Sequence, residues 1–119
     1  MSTSKFEATL AASIALVRRE REARAHLLEQ IEGEGAPQRI ELAGAQLVIG
    51  RAENADVRLA SPRLSRQHAL LTRRGTDYVI RDHDSHNGIF LNGVKIHSAT
   101  LRDGDIIQIA DCAFVYRES

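Results

Sequence analysis

The chain changes its hydrophobic period part-way along. Residues from about Phe6 to Glu32 contain no Gly or Pro and are rich in Ala, Leu, Glu and Arg, a composition typical of a helix. Apolar residues recur at helical spacing along one side of this segment: Ala8, Ala12, Leu16, Ala23, Leu27 and Ile31. Gly33 to Pro37 contains two glycines and a proline, which end helices. We therefore expect an N-terminal amphipathic helix over 1–33 and a linker over 34–37.

From Gln38 onward, short apolar runs with a period near two replace the helical pattern. Gly, Asn and Asp residues separate the runs and predict turns. The predicted strands lie at 39–42, 46–49, 57–59, 69–72, 78–80, 89–91, 94–96, 106–109 and 113–116. Many short strands with frequent turn signals are typical of a β-sandwich. The pattern predicts an all-β domain over 38–119, with antiparallel or mixed strands, preceded by one α-helix.

Composition and charge limit the kinds of partner that the protein can bind. The chain has 119 residues, 27% of them charged, and a formal net charge of zero, which argues against general nucleic-acid binding. The segment from Leu47 to Arg74 nevertheless contains six arginines and only two acidic residues. This local excess of positive charge suits a small anionic ligand. No apolar run approaches membrane-spanning length, and the short run from Leu10 to Val17 lacks a basic leader. We expect a cytoplasmic protein with neither a membrane nor a nucleic-acid partner.

The lone cysteine, Cys112, lies within an apolar run. One cysteine excludes an internal disulfide and a four-cysteine zinc site. We expect a buried structural thiol.

Three short polar clusters follow one another in the second half of the chain. They are Gly50-Arg51, Ser65-Arg66-Gln67-His68 and Ser85-His86-Asn87-Gly88, with Asn92-Gly93 just behind. The clusters supply guanidinium groups, a hydroxyl and an amide beside predicted turns, which are the donors that a phosphate requires. They lack the activated nucleophile and oriented base of covalent catalysis.

The order of these clusters resembles the forkhead-associated (FHA) domain, a family of phosphothreonine-peptide-binding modules. The resemblance covers Pro37 to Ser119 and leaves the first 36 residues unmatched. It implies a β-sandwich that recognises a Thr-phosphorylated protein or peptide, with a Ser/Thr protein kinase acting upstream in signalling or assembly. It implies no enzymatic activity, no cofactor and no metal.

The resemblance also assigns residue roles. Arg51, Ser65 and Arg66 would contact the phosphate, and Asn87 would bind the peptide main chain on both sides of the phosphothreonine. His86 stands where the family usually has a small hydroxyl residue; it can still donate a hydrogen bond and, when protonated, adds charge. Ile89 stands where threonine is common. Four further residues are expected to support the site structurally: Gly50, His68, Gly88 and Asn92.

A metal site and a catalytic triad are two other functions to consider. The run from Asp82 to His86 holds metal-ligand residue types, and Ser85, His68 and Asp82 could be imagined as a catalytic triad. No distant ligand set completes a metal shell, however, and the chain has no nucleophile elbow, so we expect neither.

The alternative to a phosphopeptide module is an oligomerisation or scaffold protein whose helix is the main interface. The helix would then form a homodimer contact or dock on the sandwich. In a further variant, the groove binds the protein's own phosphorylated Thr3 or Thr9.

Overall fold

Two stacked sheets contain all eleven strands of the described residues. The computed structural model describes residues 5–22 and 24–119, and within them it contains one helix and eleven strands. The elements are α1 (Lys5–Glu22), β1 (His26–Glu32), β2 (Arg39–Glu41), β3 (Gln46–Gly50), β4 (Val57–Arg58), β5 (Ala69–Arg74), β6 (Asp77–Asp82), β7 (Ile89–Leu91), β8 (Val94–Ile96), β9 (Ser98–Thr100), β10 (Ile106–Ile109) and β11 (Cys112–Glu118).

The sheets form a sandwich of mainly antiparallel strands. One sheet has six strands in the order β2-β1-β11-β10-β7-β8, and the other has five in the order β4-β3-β5-β6-β9. The short pair β3–β4 is parallel. Large apolar side chains from both sheets fill the space between them, among them Leu28, Ile49, Leu71, Ile80, Phe114 and Tyr116. The predicted all-β sandwich is confirmed.

Cys112 is a buried free thiol, as expected from its apolar neighbours. Burial raises the pKa of this thiol, and the nearby carboxylate of Asp111 acts in the same direction. Because the thiolate is the reactive form, burial together with a raised pKa fits the structural role expected for this cysteine.

All nine predicted strands are present, with ends shifted by no more than two residues. Two further strands, β1 and β9, were not predicted. Strand β9 is a three-residue edge strand that pairs with β6, and its sequence Ser98-Ala99-Thr100 is too short and too polar to show an alternating apolar pattern.

The predicted helix was too long. It ends at Glu22, and the chain from His26 forms β1, which pairs antiparallel with both β11 and β2. His26, Leu28 and Gln30 are buried at every second position. Pairing within the sheet therefore overrides the helical propensity of this segment. Of the predicted apolar stripe, Leu27 and Ile31 lie on β1, whereas Ala23 lies outside the described residues.

Helix α1 does not pack on the sandwich. Residues 5–17 are all exposed, and the molecule measures 62 Å along its long axis but 27 Å across. The alternative in which the helix docks on the sandwich is therefore not observed, and the homodimer contact stays a prediction. Large apolar side chains on one side of α1 are open to solvent: Phe6, Leu10, Ile14 and Val17. This is not the side predicted from the sequence, which carries Ala8, Ala12 and Leu16. No helix in the described part of the chain is both long enough and apolar enough to cross a membrane.

Because β1 contributes to the core, Leu28→Ala should destabilise the sandwich by ~2–5 kcal/mol, the usual cost of a buried leucine truncation. Leu28 is 0% exposed. Leu16→Ala on the exposed α1 removes the same atoms and should change the free energy of unfolding by less than about 0.5 kcal/mol. Urea unfolding followed by circular dichroism measures both. Equal effects would show that β1 is not part of the cooperative core.

Candidate functional site

Strand pairing brings the three polar clusters to one end of the sandwich. Strands β3 and β5 are antiparallel, so the residues that leave β3 lie beside those that enter β5. Strands β5 and β6 are antiparallel in turn, which places the end of β6 next to the start of β5. The β3–β4, β4–β5 and β6–β7 loops therefore meet at this end, and they carry Arg51, Ser65 with Arg66, and His86 with Asn87.

Gly50 allows the first two loops to touch. The backbone N–H of Arg51 donates to the carbonyl of Ser65 at 3.1 Å, and that of Ala52 donates to the carbonyl of Arg66 at 3.1 Å. A β-carbon at position 50 would overlap the carbonyl oxygen of Arg66. Only glycine permits this close approach of two backbones.

His68 joins two of the loops to the end of β3 from inside the protein. Its backbone N–H donates to Ile49 at 2.8 Å, and its carbonyl accepts from the N–H of His83 at 3.0 Å. Its ring nitrogen Nδ1 lies 3.1 Å from the backbone nitrogen of Ser65, and Nε2 lies 2.9 Å from the carbonyl oxygen of Gly88. The side chain is 0% exposed, so these contacts replace water entirely.

The partners of His68 fix its tautomer. The backbone N–H of Ser65 can only donate, so Nδ1 must accept. The carbonyl of Gly88 can only accept, so Nε2 carries the proton. Both nitrogens of a neutral ring are thereby used, which fits the structural role expected for His68.

The third loop is held by its own side chains. The carboxylate of Asp82 accepts from the N–H of Ser85 at 3.0 Å, and the hydroxyl of Ser85 accepts from the N–H of Gly88 at 3.0 Å. Gly88 has a φ of 76°, a conformation that favours glycine. Ser85, His68 and Asp82 thus bind backbone groups and do not form a proton relay. The triad considered from the sequence is not assembled.

Side chains also connect the loops at the surface. The Nδ2 of Asn87 donates to the carbonyl of Arg63 at 2.6 Å, and the N–H of His86 donates to the hydroxyl of Ser65 at 3.3 Å. Behind them, the hydroxyl of Ser61 donates to Asp111 in the β10–β11 turn. This hydrogen bond lowers the pKa of the Asp111 carboxyl.

A groove of about 830 Å³ lies between the loops. It is lined by all five residues predicted to bind the phosphopeptide, namely Arg51, Ser65, Arg66, His86 and Asn87. The lining also includes residues outside the motifs, among them Asn54, Arg63, His83 and Asp84. They lie on the same loops as the motif residues, and the sequence carries no other signal that they line a phosphate-binding groove.

Asn92 lies apart from the groove. In the β7–β8 turn it has a φ of 50°; its Oδ1 accepts from the N–H of Ile106 at 2.9 Å, and its Nδ2 donates to Asp105 at 3.0 Å. Asn92 therefore supports the six-stranded sheet, and its contacts do not reach the groove that it was expected to support. Among residues 5–22 and 24–119, no three His, Cys, Asp or Glu side chains are grouped to hold a metal ion.

Comparison with known families identifies the fold. The family model described as FHA domain matches residues 47–110, more than half of the chain. The chain belongs to the FHA domain family. Members of this family are non-catalytic phosphothreonine-recognition modules in Ser/Thr kinase signalling, as the motif resemblance implied.

Two curated relatives show the extent of the sequence similarity. The transcriptional regulatory protein EmbR of Mycobacterium tuberculosis is 41% identical over 96 residues, which are 80% of this chain and 24% of EmbR. The FHA domain-containing protein FhaB of Mycolicibacterium smegmatis is 34% identical over 79 residues, 64% of this chain and 51% of FhaB. The chain therefore spans about a quarter of EmbR and half of FhaB.

Solved structures show the same fold. Mycobacterium tuberculosis EmbR in complex with a low affinity phosphopeptide superposes with a TM-score of 0.76 and 32% identity, covering 98% of this chain and 32% of that one. The FhaA FHA domain complexed with the intracellular domain of Rv3910 superposes with a TM-score of 0.72 and 26% identity, covering 77% and 99%.

His68→Ala should destabilise the protein, because it leaves the N–H of Ser65 and the carbonyl of Gly88 without partners. An unsatisfied buried group costs about 1–3 kcal/mol. His83→Ala is the matched control, since the His83 side chain is exposed and its backbone contact survives. Thermal unfolding of the two variants should show a large loss of stability for His68→Ala alone. Similar curves would contradict the structural role of His68.

Proposed function

We propose that this chain is a non-catalytic module that binds phosphothreonine peptides in the groove between its three loops. The supporting observation is that strand pairing collects Arg51, Ser65, Arg66, His86 and Asn87 around one opening. Such a module serves Ser/Thr kinase-dependent signalling or assembly, and its ligand is a Thr-phosphorylated protein or peptide. A cytoplasmic location stays a prediction.

The arginines of the groove suit a phosphate. The Nε–H of Arg51 donates to the carbonyl of Leu64 at 3.2 Å, which orients the guanidinium while its terminal N–H groups can bind a ligand. Arg51 and Arg66 are exposed, and neither forms an ion pair with a described carboxylate. A phosphothreonine carries nearly two negative charges, and guanidinium groups bind its oxygens through short charge-assisted hydrogen bonds.

Uncharged side chains supply further hydrogen bonds to the phosphopeptide. The hydroxyl of Ser65 accepts from the N–H of His86, so its own hydrogen can donate to a phosphate oxygen. Asn87 uses one amide hydrogen on Arg63, which fixes the side chain and leaves a second hydrogen and an oxygen to bind a peptide main chain. These groups bind and orient a ligand, and the adjacent His68 has no nitrogen free to act as a base.

Arg51→Ala should weaken binding of a library-selected phosphothreonine peptide by at least tenfold, since each charge-assisted hydrogen bond contributes about 1.5–3 kcal/mol. Arg74→Ala removes the same charge from the exposed end of β5 and should leave the affinity unchanged. Isothermal titration calorimetry with the phosphorylated peptide and its unphosphorylated counterpart measures both. Equal affinity of Arg51→Ala and the parent protein would refute the assignment of the groove.

We also propose that α1 associates with a second copy of itself. Phe6, at 78% exposed, together with Leu10, Ile14 and Val17, presents an apolar side that no part of residues 24–119 covers. Exposed apolar surface costs about 25 cal/mol per Å², so pairing of two such sides is favourable. Self-recognition stays a separate prediction: the Thr9 hydroxyl donates to Lys5 at 2.8 Å within α1, and Thr3 lies outside the described residues.

Leu10→Asp combined with Ile14→Asp should convert a dimer to a monomer, because both changes place charge on the apolar side of α1. Ala8→Asp combined with Ala15→Asp places the same charge on the opposite side at helical spacing and should leave the dimer intact. Light scattering across a concentration series gives the mass of each variant. A parent protein that is monomeric at every concentration would exclude the dimer and leave α1 as a solvated extension.

A further inference from the structure

A second basic groove adjoins the phosphothreonine groove. It has a volume of about 510 Å³ and is lined by Arg51, Ala52, Glu53, Asn54, Arg58 and Arg66. We propose that this second groove binds another anionic group, a phosphate or a carboxylate, on the same peptide. The inference rests on the proposed function, and it makes the preferred ligand a doubly phosphorylated or acid-flanked phosphothreonine peptide.

The backbone places Arg58 beside the phosphate-binding loop. Strand β4 pairs parallel with the end of β3, so that Arg58 is opposite Gly50, the residue directly before Arg51. The N–H of Leu59 donates to the carbonyl of Gly50 at 3.0 Å and holds this register. Arg58 therefore approaches the site from a strand rather than from a free loop, although its side chain is exposed.

The charge in the second groove is not balanced. Its lining has three arginines and one carboxylate, that of Glu53. The other nearby acid, Asp56, is turned towards β3, where its Oδ2 accepts from the N–H of Val48 at 2.7 Å. Among the described residues, none of the three arginines forms an ion pair. The excess positive charge attracts an anion from solution or from a ligand.

A single phosphate in the first groove does not contact all three arginines. Arg51 and Arg66 line both grooves, whereas Arg58 lines the second groove and not the first. Because the two grooves share Arg51 and Arg66, we expect a residue that flanks the phosphothreonine to reach Arg58 from the first groove. A second anion there gains contact with a guanidinium that the first phosphate does not reach, and shared cations reduce the repulsion between the two anions.

Calorimetry with one set of peptides tests the proposal. The parent peptide has a single phosphothreonine and neutral flanks, and in its derivatives a phosphoserine or a glutamate is moved one position at a time along both flanks. At the favoured position the second anion should tighten binding by about fivefold or more, an effect that high salt reduces. A gain from phosphoserine alone indicates a doubly phosphorylated ligand, whereas an equal gain from glutamate indicates an acidic one.

Two charge-matched variants separate a specific site from general attraction. Arg58→Gln should remove most of the gain while leaving the affinity for the parent peptide nearly unchanged, and Arg74→Gln should preserve the gain. No gain at any position, or a gain that survives Arg58→Gln or is equally lost in Arg74→Gln, overturns the second groove and leaves the proposed function intact. If the singly phosphorylated peptides themselves do not bind, the proposed function and this inference fail together.

Discussion

The neutral imidazole of His68 is the contact on which the groove depends. It lies inside the sandwich, accepts from the loop that carries Ser65 and donates to the loop that carries Asn87 and Gly88. Its backbone also bonds to Ile49 at the end of β3. The buried side chain of His68 therefore joins the loops that carry Ser65 and Gly88, and its backbone attaches them to the end of β3. At the surface, Ser65 and Asn87 add hydrogen bonds between the loops.

The groups that support the loops are largely different from the charged groups that are proposed to bind the ligand. Buried neutral groups and close backbone contacts, such as that of Gly50 with Arg66, form the support. Charged groups such as Arg51 and Arg58 are exposed and have few partners in the protein. Changes at the surface should therefore alter ligand preference without unfolding the sandwich, which suits a family that reads different phosphopeptides with one scaffold.

Local signals explain which parts of the structure could be predicted. Strands such as β3 and β10 alternate or run apolar between Gly and Asp turns, so the sandwich could be predicted from local pattern. The five residues that line the groove were predicted from the resemblance of their motifs to the FHA family. Strand β1 could not be predicted, because its helix-favouring residues become a strand only through pairing with β11, far along the chain. The place of Arg58 depends on a two-residue parallel strand, and nothing local indicates that pairing.

The proposed binding site for a phosphothreonine peptide is the three-loop groove. Two-dimensional NMR of the amide groups during titration with such a peptide shows where it binds. We expect shifts concentrated at Arg51, Ser65, Arg66 and Asn87, and none when the unphosphorylated peptide is added. Shifts confined to α1 or to the outer face of β1 and β11, or equal shifts with the unphosphorylated peptide, would contradict the proposed site.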